Sequence, residues 1–212
     1  MGQRQTAIAY VDGFNLYYGL RDSCDGAGIR WRWIDIPRLC RMIVPEVEVT
    51  HLKYFTARVQ PQGHAKAKRQ ARFLRALRSL PNVSIHYGSF IQKEAEMRLA
   101  SNRSRRVRVL RTEEKGSDVN LATHLVVDGL VKHAFGVAVV VSNDSDLVYP
   151  IQVVRAGGCE VGVLNPHLDQ PSAELRKVAS WVRPIRPRAV RMVPLAPELR
   201  DADGVFRKPP AW

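Results

Sequence analysis

Four aspartates in this chain stand where they could do chemistry together: Asp12, Asp118, Asp144 and Asp146. Asp144 and Asp146 follow the apolar run Val137-Ala138-Val139-Val140-Val141 and are joined by Ser142, Asn143 and Ser145 into an oxygen-rich patch. Such a patch suits a hard cation, Mg²⁺ or Mn²⁺. Its ordinary structural alternative is a polar strand-to-helix turn with one Asp as helix N-cap. Asp12 follows Thr6-Ala7-Ile8-Ala9-Tyr10-Val11 in the same way, and Asp118 sits beside Gly116-Ser117 at the start of a helical pattern. Each could be a plain cap or a dipole partner. Carboxylates that converge from separate junctions repel one another unless a divalent cation neutralises them. That joint placement points to a metal site.

The elements that must position these acids alternate strand with helix. Strands are expected at 6–11, 47–59, 83–91, 137–141 and 159–164, with a short edge piece at 182–185. The 137–141 run has no polar interruption and reads as a central strand buried on both faces. Helices are expected at 13–24, 34–44 (capped by Asp35, with Pro37 in its first turn), 63–80, 117–133, 145–155 and 171–181 (capped near Asp169). This alternation predicts one α/β domain with a mainly parallel sheet and helices on both faces. In such a sheet the strand carboxyl ends lie along one edge, where ligands bind. The domain is expected to span 1–186, with a basic hairpin or arm near 98–112, and a Pro-rich extended segment is expected over 187–212, either packed on the body through Val190, Val193 and Leu195 or partly disordered.

With 33 Lys and Arg against 20 Asp and Glu among 212 residues, the net charge is +13. The partner expected of such a chain is a polyanion, nucleic acid rather than a membrane surface. Two clusters concentrate the charge. Lys66, Lys68, Arg69, Arg72, Arg75 and Arg78 lie on one expected helix with no acid between them; Arg98, Arg103, Arg105, Arg106, Arg108 and Arg111 lie in the arm. Arg30-Trp31-Arg32-Trp33 reads either as a base-stacking segment or as a short strand with one Trp buried. There is no apolar run long enough for a membrane span and no signal-peptide pattern. The three cysteines, Cys24, Cys40 and Cys159, have no zinc-ligand spacing, so a reduced, cytoplasmic setting is expected.

A carboxylate cluster on a basic body predicts a metal-dependent phosphodiesterase acting on nucleic acid. Two other classes fit less well. The strand at 6–11 leads into Asp12-Gly13-Phe14-Asn15 rather than a G-x-G-x-x-G turn, which argues against a dinucleotide-binding oxidoreductase. Asp144-Ser145-Asp146 matches the short DxD pattern of some glycosyltransferases, but that pattern is weak.

Three blocks also resemble the signatures of NYN domains, in the LabA-like branch of the PIN-like nucleases. They are Tyr10-Val11-Asp12-Gly13-Phe14-Asn15-Leu16, Glu114-Lys115-Gly116-Ser117-Asp118-Val119 and Val141-Ser142-Asn143-Asp144-Ser145-Asp146-Leu147. The resemblance spans about residues 6–182. It implies a Rossmann-like, PIN-like three-layer sandwich and Mg²⁺- or Mn²⁺-dependent ribonuclease activity, with RNA favoured over DNA and homodimers common among relatives. Carried over by position, Asp12, Asp118, Asp144 and Asp146 would be the acidic site. Asn15 would hold a phosphate, a water or a neighbouring carboxylate, and Ser142 would support the loop. Lys115 would either contact substrate phosphate or form a structural salt bridge. Arg72, Arg75, Arg105, Arg106 and Arg108 are the candidate contacts to the nucleic acid. Asn143 and Leu147 depart from the Gly and Phe usual in the family. The alternative is an RNA-binding module on a nuclease-like fold that cleaves little.

Overall fold

The computed structural model describes residues 4–59 and 64–212. The chain opens with β1 (Thr6–Asp12) and α1 (Gly13–Cys24), then α2 (Ile36–Ile43) and β2 (Glu48–Thr56). It continues through α3 (Ala65–Arg78), β3 (Val83–Tyr87), and the hairpin of β4 (Ser89–Arg98) and β5 (Arg106–Lys115). Next come α4 (Ser117–Val126), prolonged by a π-turn at Val127–Val131, and β6 (Val137–Val141). A 3₁₀ turn at Ser145–Leu147 leads into α5 (Val148–Ala156), β7 (Glu160–Asn165), α6 (Ala173–Val178) and β8 (Trp181–Pro184). The chain finishes with α7 (Pro187–Arg191) and a ribbon of β9 (Glu198–Asp201) and β10 (Gly204–Arg207).

Six strands make one sheet in the order β3-β2-β1-β6-β7-β8, and every pairing in it is parallel. The strand order reverses between β1 and β6, where Ala7–Val11 pairs residue by residue with Val137–Val141. Period-2 alternation sends the side chains of these strands to opposite faces. Ala7, Ala9, Val11, Val137, Val139 and Val141 pack under α1, α2, α3 and α7; Ile8, Tyr10, Ala138 and Val140 pack under α4, α5 and α6. The result is the expected three-layer α/β sandwich. No helix among the described residues is long and apolar enough to cross a membrane.

Three expectations are corrected. The strand read as 83–91 breaks at Gly88: β3 ends in the sheet, and β4 leaves it to pair antiparallel with β5. The basic arm is therefore a hairpin of two ten-residue strands, rooted at Ser89 and Lys115. The helix expected from 171 begins at Ala173 and is capped by Ser172, whose Oγ accepts the Leu175 N–H at 3.2 Å; Asp169 takes no part. The segment 187–212 is not extended. Val190 and Val193 are fully buried, Leu195 and Phe206 nearly so, and Trp212 lies 6.2 Å from both Trp33 and Phe73. Prolines there mark turns and helix starts, which removes periodicity without removing structure.

Candidate active site

Asp12 ends β1, one strand of the switch point. Its Oδ1 accepts the N–H groups of Phe14 at 3.1 Å and Asn15 at 2.9 Å, so it does cap α1. Its Oδ2 accepts the Ser142 hydroxyl at 3.2 Å. Capping and chemistry are not exclusive here, because the cap fixes the rotamer of the carboxylate. Gly13 lets the turn run against the sheet: a Cβ there would meet the Tyr54 ring at 2.6 Å and the Phe55 carbonyl oxygen at 2.8 Å.

On the neighbouring strand, Ser142 is fully buried and joins both sides of the site. While donating to Asp12, its Oγ accepts the Asp144 N–H at 3.1 Å. Asp144 Oδ1 in turn accepts the Asp146 N–H at 3.0 Å, starting the 3₁₀ turn. Asn15 Oδ1 accepts the Asn143 N–H at 2.8 Å, and Asn143 Oδ1 accepts the Ser172 N–H at 2.7 Å. Asn15 and Asn143 thus tie α1, the β6 loop and α6 together, a positioning role for Asn15.

Asp118 arrives from the first turn of α4. Gly116 precedes that helix at φ +91°, a left-handed conformation that glycine adopts without a Cβ clash. It offers no side-chain cap, and Glu114 replaces one: its Oε1 accepts the Ser117 N–H at 3.0 Å.

Asp12, Asp118, Asp144 and Glu114 line one cleft of roughly 290 Å³, together with Asn15, Phe14, Tyr18, Ser117 and His167. Burial, against the opposing pull of the Asn15 and Ser142 hydrogen bonds and helped by the Asp144 charge, pushes the Asp12 carboxyl up to about 6. Asp146 is exposed and lies outside this lining, at the rim. Lys115 also lies outside it, 3.4 Å from Glu113.

Among the described residues no three Asp, Glu, His or Cys side chains are placed to enclose a metal ion by themselves. The donor set nevertheless fits Mg²⁺ or Mn²⁺, because such ions are commonly held by one or two carboxylates and keep several waters. Asp12 and Asp144 share Ser142 and repel each other, as carboxylates do when a cation can lie between them.

The candidate substrate contacts divide. Arg105, Arg106 and Arg108 sit at the outer end of the arm, where Arg106 lies 3.7 Å from Glu96. Arg75 is committed elsewhere: its guanidinium makes a bidentate pair with Asp201, both contacts 2.7 Å, and stacks over Phe206. Arg72 donates to the Arg207 carbonyl at 3.3 Å. The ribbon covers that side of α3, and Arg75 is held there by Asp201.

Sequence reasoning misses Glu114 and His167. His167 follows the carboxyl end of β7, two residues beyond Asn165, whose Oδ1 accepts its N–H at 2.8 Å. A polar Asn-Pro-His directly after an apolar strand is the same signal that marks Asp12 and Asp144. For Glu114 the signal is its place three residues before Ser117, where a glycine leaves the helix uncapped.

The family model for the NYN domain matches residues 6–185. Among curated proteins, the chain is 30% identical over 211 residues to the 6-hydroxy-3-succinoylpyridine 3-monooxygenase HspA of Pseudomonas putida. That match takes in 82% of this chain and 64% of the relative, so the chain spans under two thirds of the relative's length. Among solved structures it resembles a protein of unknown function from Vibrio parahaemolyticus, with a TM-score of 0.56 at 16% identity, covering 97% of this chain and 99% of the other.

Proposed function

The chain belongs to the NYN domain family, and from that premise we propose that it is a metal-dependent ribonuclease, placed by its three blocks in the LabA-like branch. The observation that carries the reading is the convergence of Asp12 and Asp144, from two neighbouring strand ends, and Asp118, from the first turn of α4, into one cleft. Asp12 and Asp144 would hold Mg²⁺ or Mn²⁺, with Asp118 across the cleft and Asp146 at the rim. When bound, the ion would acidify an attacking water and neutralise charge on the phosphate. Ser142 and Asn15 keep the two carboxylates in register by hydrogen bonds already made. The arm, with Arg105, Arg106 and Arg108, would steer the phosphodiester chain toward the cleft. Water attacks phosphorus in line, the bond to the 3′ oxygen breaks, and that oxygen takes a proton. The products carry 5′-phosphate and 3′-hydroxyl ends.

The test is cleavage of labelled single-stranded RNA in Mn²⁺, Mg²⁺ or EDTA by wild type, Asp144→Asn and Asp146→Asn. The reading expects metal-dependent cleavage lost in Asp144→Asn and reduced less in Asp146→Asn. Salt-sensitive binding without cleavage in either metal would favour an RNA-binding module. Products with 2′,3′-cyclic phosphate ends would refute the mechanism.

A second reading, oxidation of a small pyridine-type compound, is favoured by the likeness to the Pseudomonas putida monooxygenase. Oxygen consumption dependent on a pyridine carboxylate and a reductant would support it over hydrolysis.

A further inference from the structure

Beside the acid cleft runs a larger groove of roughly 920 Å³. The two share Phe14 and Tyr18, so they form one continuous surface. Tyr17 and Tyr18 stand on α1 with 44% and 46% of their surface exposed, although tyrosines of this size usually bury their rings. Tyr17 meets Tyr18 edge-on at 5.4 Å and Trp31 at 5.0 Å. Phe73 and Trp212 wall the groove on the other side, and Phe90 carries it to the root of the arm.

Its charge is one-sided. Arg21, Arg32, Lys66 and Arg69 line it from three separate segments, and among the described residues no Asp or Glu does. The Arg32 guanidinium lies over the Trp31 ring at 4.3 Å, and that of Arg21 over Tyr18 at 4.9 Å. Both also make ion pairs on the outer surface, with Asp25 and Asp22. Lys66 and Arg69 have no acidic partner among the described residues. Cations spread along an aromatic trough match a string of phosphates with bases between them better than a single anionic ligand.

We propose that this groove seats the unpaired nucleotides that flank the scissile phosphate, with bases on the exposed rings of Tyr17 and Tyr18 and on Trp212, and phosphates along Lys66 and Arg69; Trp31, only 3% exposed, backs the platform from the core and meets no base. The substrate is therefore a single strand: a duplex keeps its base faces stacked inside and has none to offer an aromatic platform. The inference rests on the nuclease reading for the identity of the cleft. Trp212 lies beyond the region matched by the family model, so part of the platform belongs to this chain's own C-terminal segment.

The experiment is fluorescence anisotropy in EDTA, with a fluorescein-labelled unpaired RNA decamer and the same decamer annealed into a blunt duplex. A 2-aminopurine at an internal position reports stacking. We expect at least tenfold tighter binding of the unpaired strand and quenching of the 2-aminopurine on binding. Lys66→Glu/Arg69→Glu, at surface positions that leave the core untouched, should weaken binding roughly tenfold, and Trp212→Ala severalfold. This pattern without cleavage in any metal upholds the groove and sinks the nuclease reading. Metal-dependent cleavage with unchanged binding in both variants does the reverse. Equal affinity for duplex and single strand, or saturable binding of nicotinate with none of the decamer, overturns the inference.

Discussion

Replacing Asp12 by Asn should make the protein more stable at alkaline pH. The carboxyl titrates near 3.8 in the unfolded chain and near 6 in the fold, so at pH 8 the folded state holds a charge it disfavours. A rise of about two in pKa corresponds to about 3 kcal/mol. Asp12 is only half-buried, and Asn would lose the acceptor for the Ser142 hydroxyl, so the expected net gain is about 1–2 kcal/mol. Asn keeps the Oδ1 that caps α1. For a chain of this length the gain corresponds to roughly 2–8 °C in Tm. The sign fixes the pH window. A carboxyl raised in the fold costs nothing below its unfolded value and its full amount above its folded one. The advantage of Asp12→Asn should therefore be whole above pH 6, shrink through pH 5 and reverse to a small deficit by pH 4, where only the lost acceptor for the Ser142 hydroxyl remains. Urea titration of both proteins in EDTA at pH 8, 6 and 4 measures it. Added Mn²⁺ should raise the wild-type midpoint and leave the variant where it was. A variant no more stable than wild type at pH 8, or a gain constant down to pH 4, would refute this account of the site's strain.

Other outcomes follow from features away from the cleft. His51, His86 and His124 gather between α4 and the β3 edge, the rings of His86 and His124 4.2 Å apart, and burial with the neighbouring Lys53 holds all three below the usual imidazole range, His86 at about 4. Groups depressed in the fold contribute stability above their unfolded pKa and lose it as pH falls through the folded one; stability should drop between pH 6.5 and 4, and His86→Leu should flatten that drop in urea titrations. Arg75→Ala should lower the urea midpoint modestly by removing the bidentate partner of Asp201, while RNA affinity measured by anisotropy stays unchanged. Reversing Arg105, Arg106 and Arg108 to Glu should weaken RNA binding and flatten its salt dependence by up to about 2 in log–log slope, at roughly 0.7 per phosphate contact on a single strand. An unchanged slope would detach the arm from the nucleic acid.

What was readable in the sequence and what was not divide along a physical line. Asp12 and Asp144 are legible because each ends an unbroken apolar run, and a parallel sheet sends all such ends to one edge. Ser142 is legible as part of the oxygen-rich patch, but its place between the two carboxylates depends on a pairing across 130 residues. The β4–β5 arm is half legible. Its arginines announce charge, but Ile91, Met97 and Leu110 look like core residues and are exposed. The pairing of Arg75 is not legible, because a cation on a basic helix face looks solvated, and only the fold brings Asp201 to it. Asp128 escapes notice altogether. It is nearly fully buried, and the hydrogen bonds of Tyr10, Lys53 and Lys132 hold it ionised against the cost of burial. Nothing local in Val126-Val127-Asp128-Gly129 marks it.

The junction of β1 with β6 has a consequence for how the protein comes to exist in a cell. β1 is synthesised well before one of its two partners, β6, which comes after the arm and α4. During synthesis β1 can lean on β2 and β3, but its other edge stays open until Val137–Val141 emerges. Asp12 then stands alone, without the Ser142 hydroxyl and without Asp144 beside it. A nascent chain therefore carries its basic arm before the cleft is assembled. Docking of β6 joins Asp12 to Ser142 and Asp144 in one event, and β7 then adds His167, so the candidate site assembles only after most of the domain has been made.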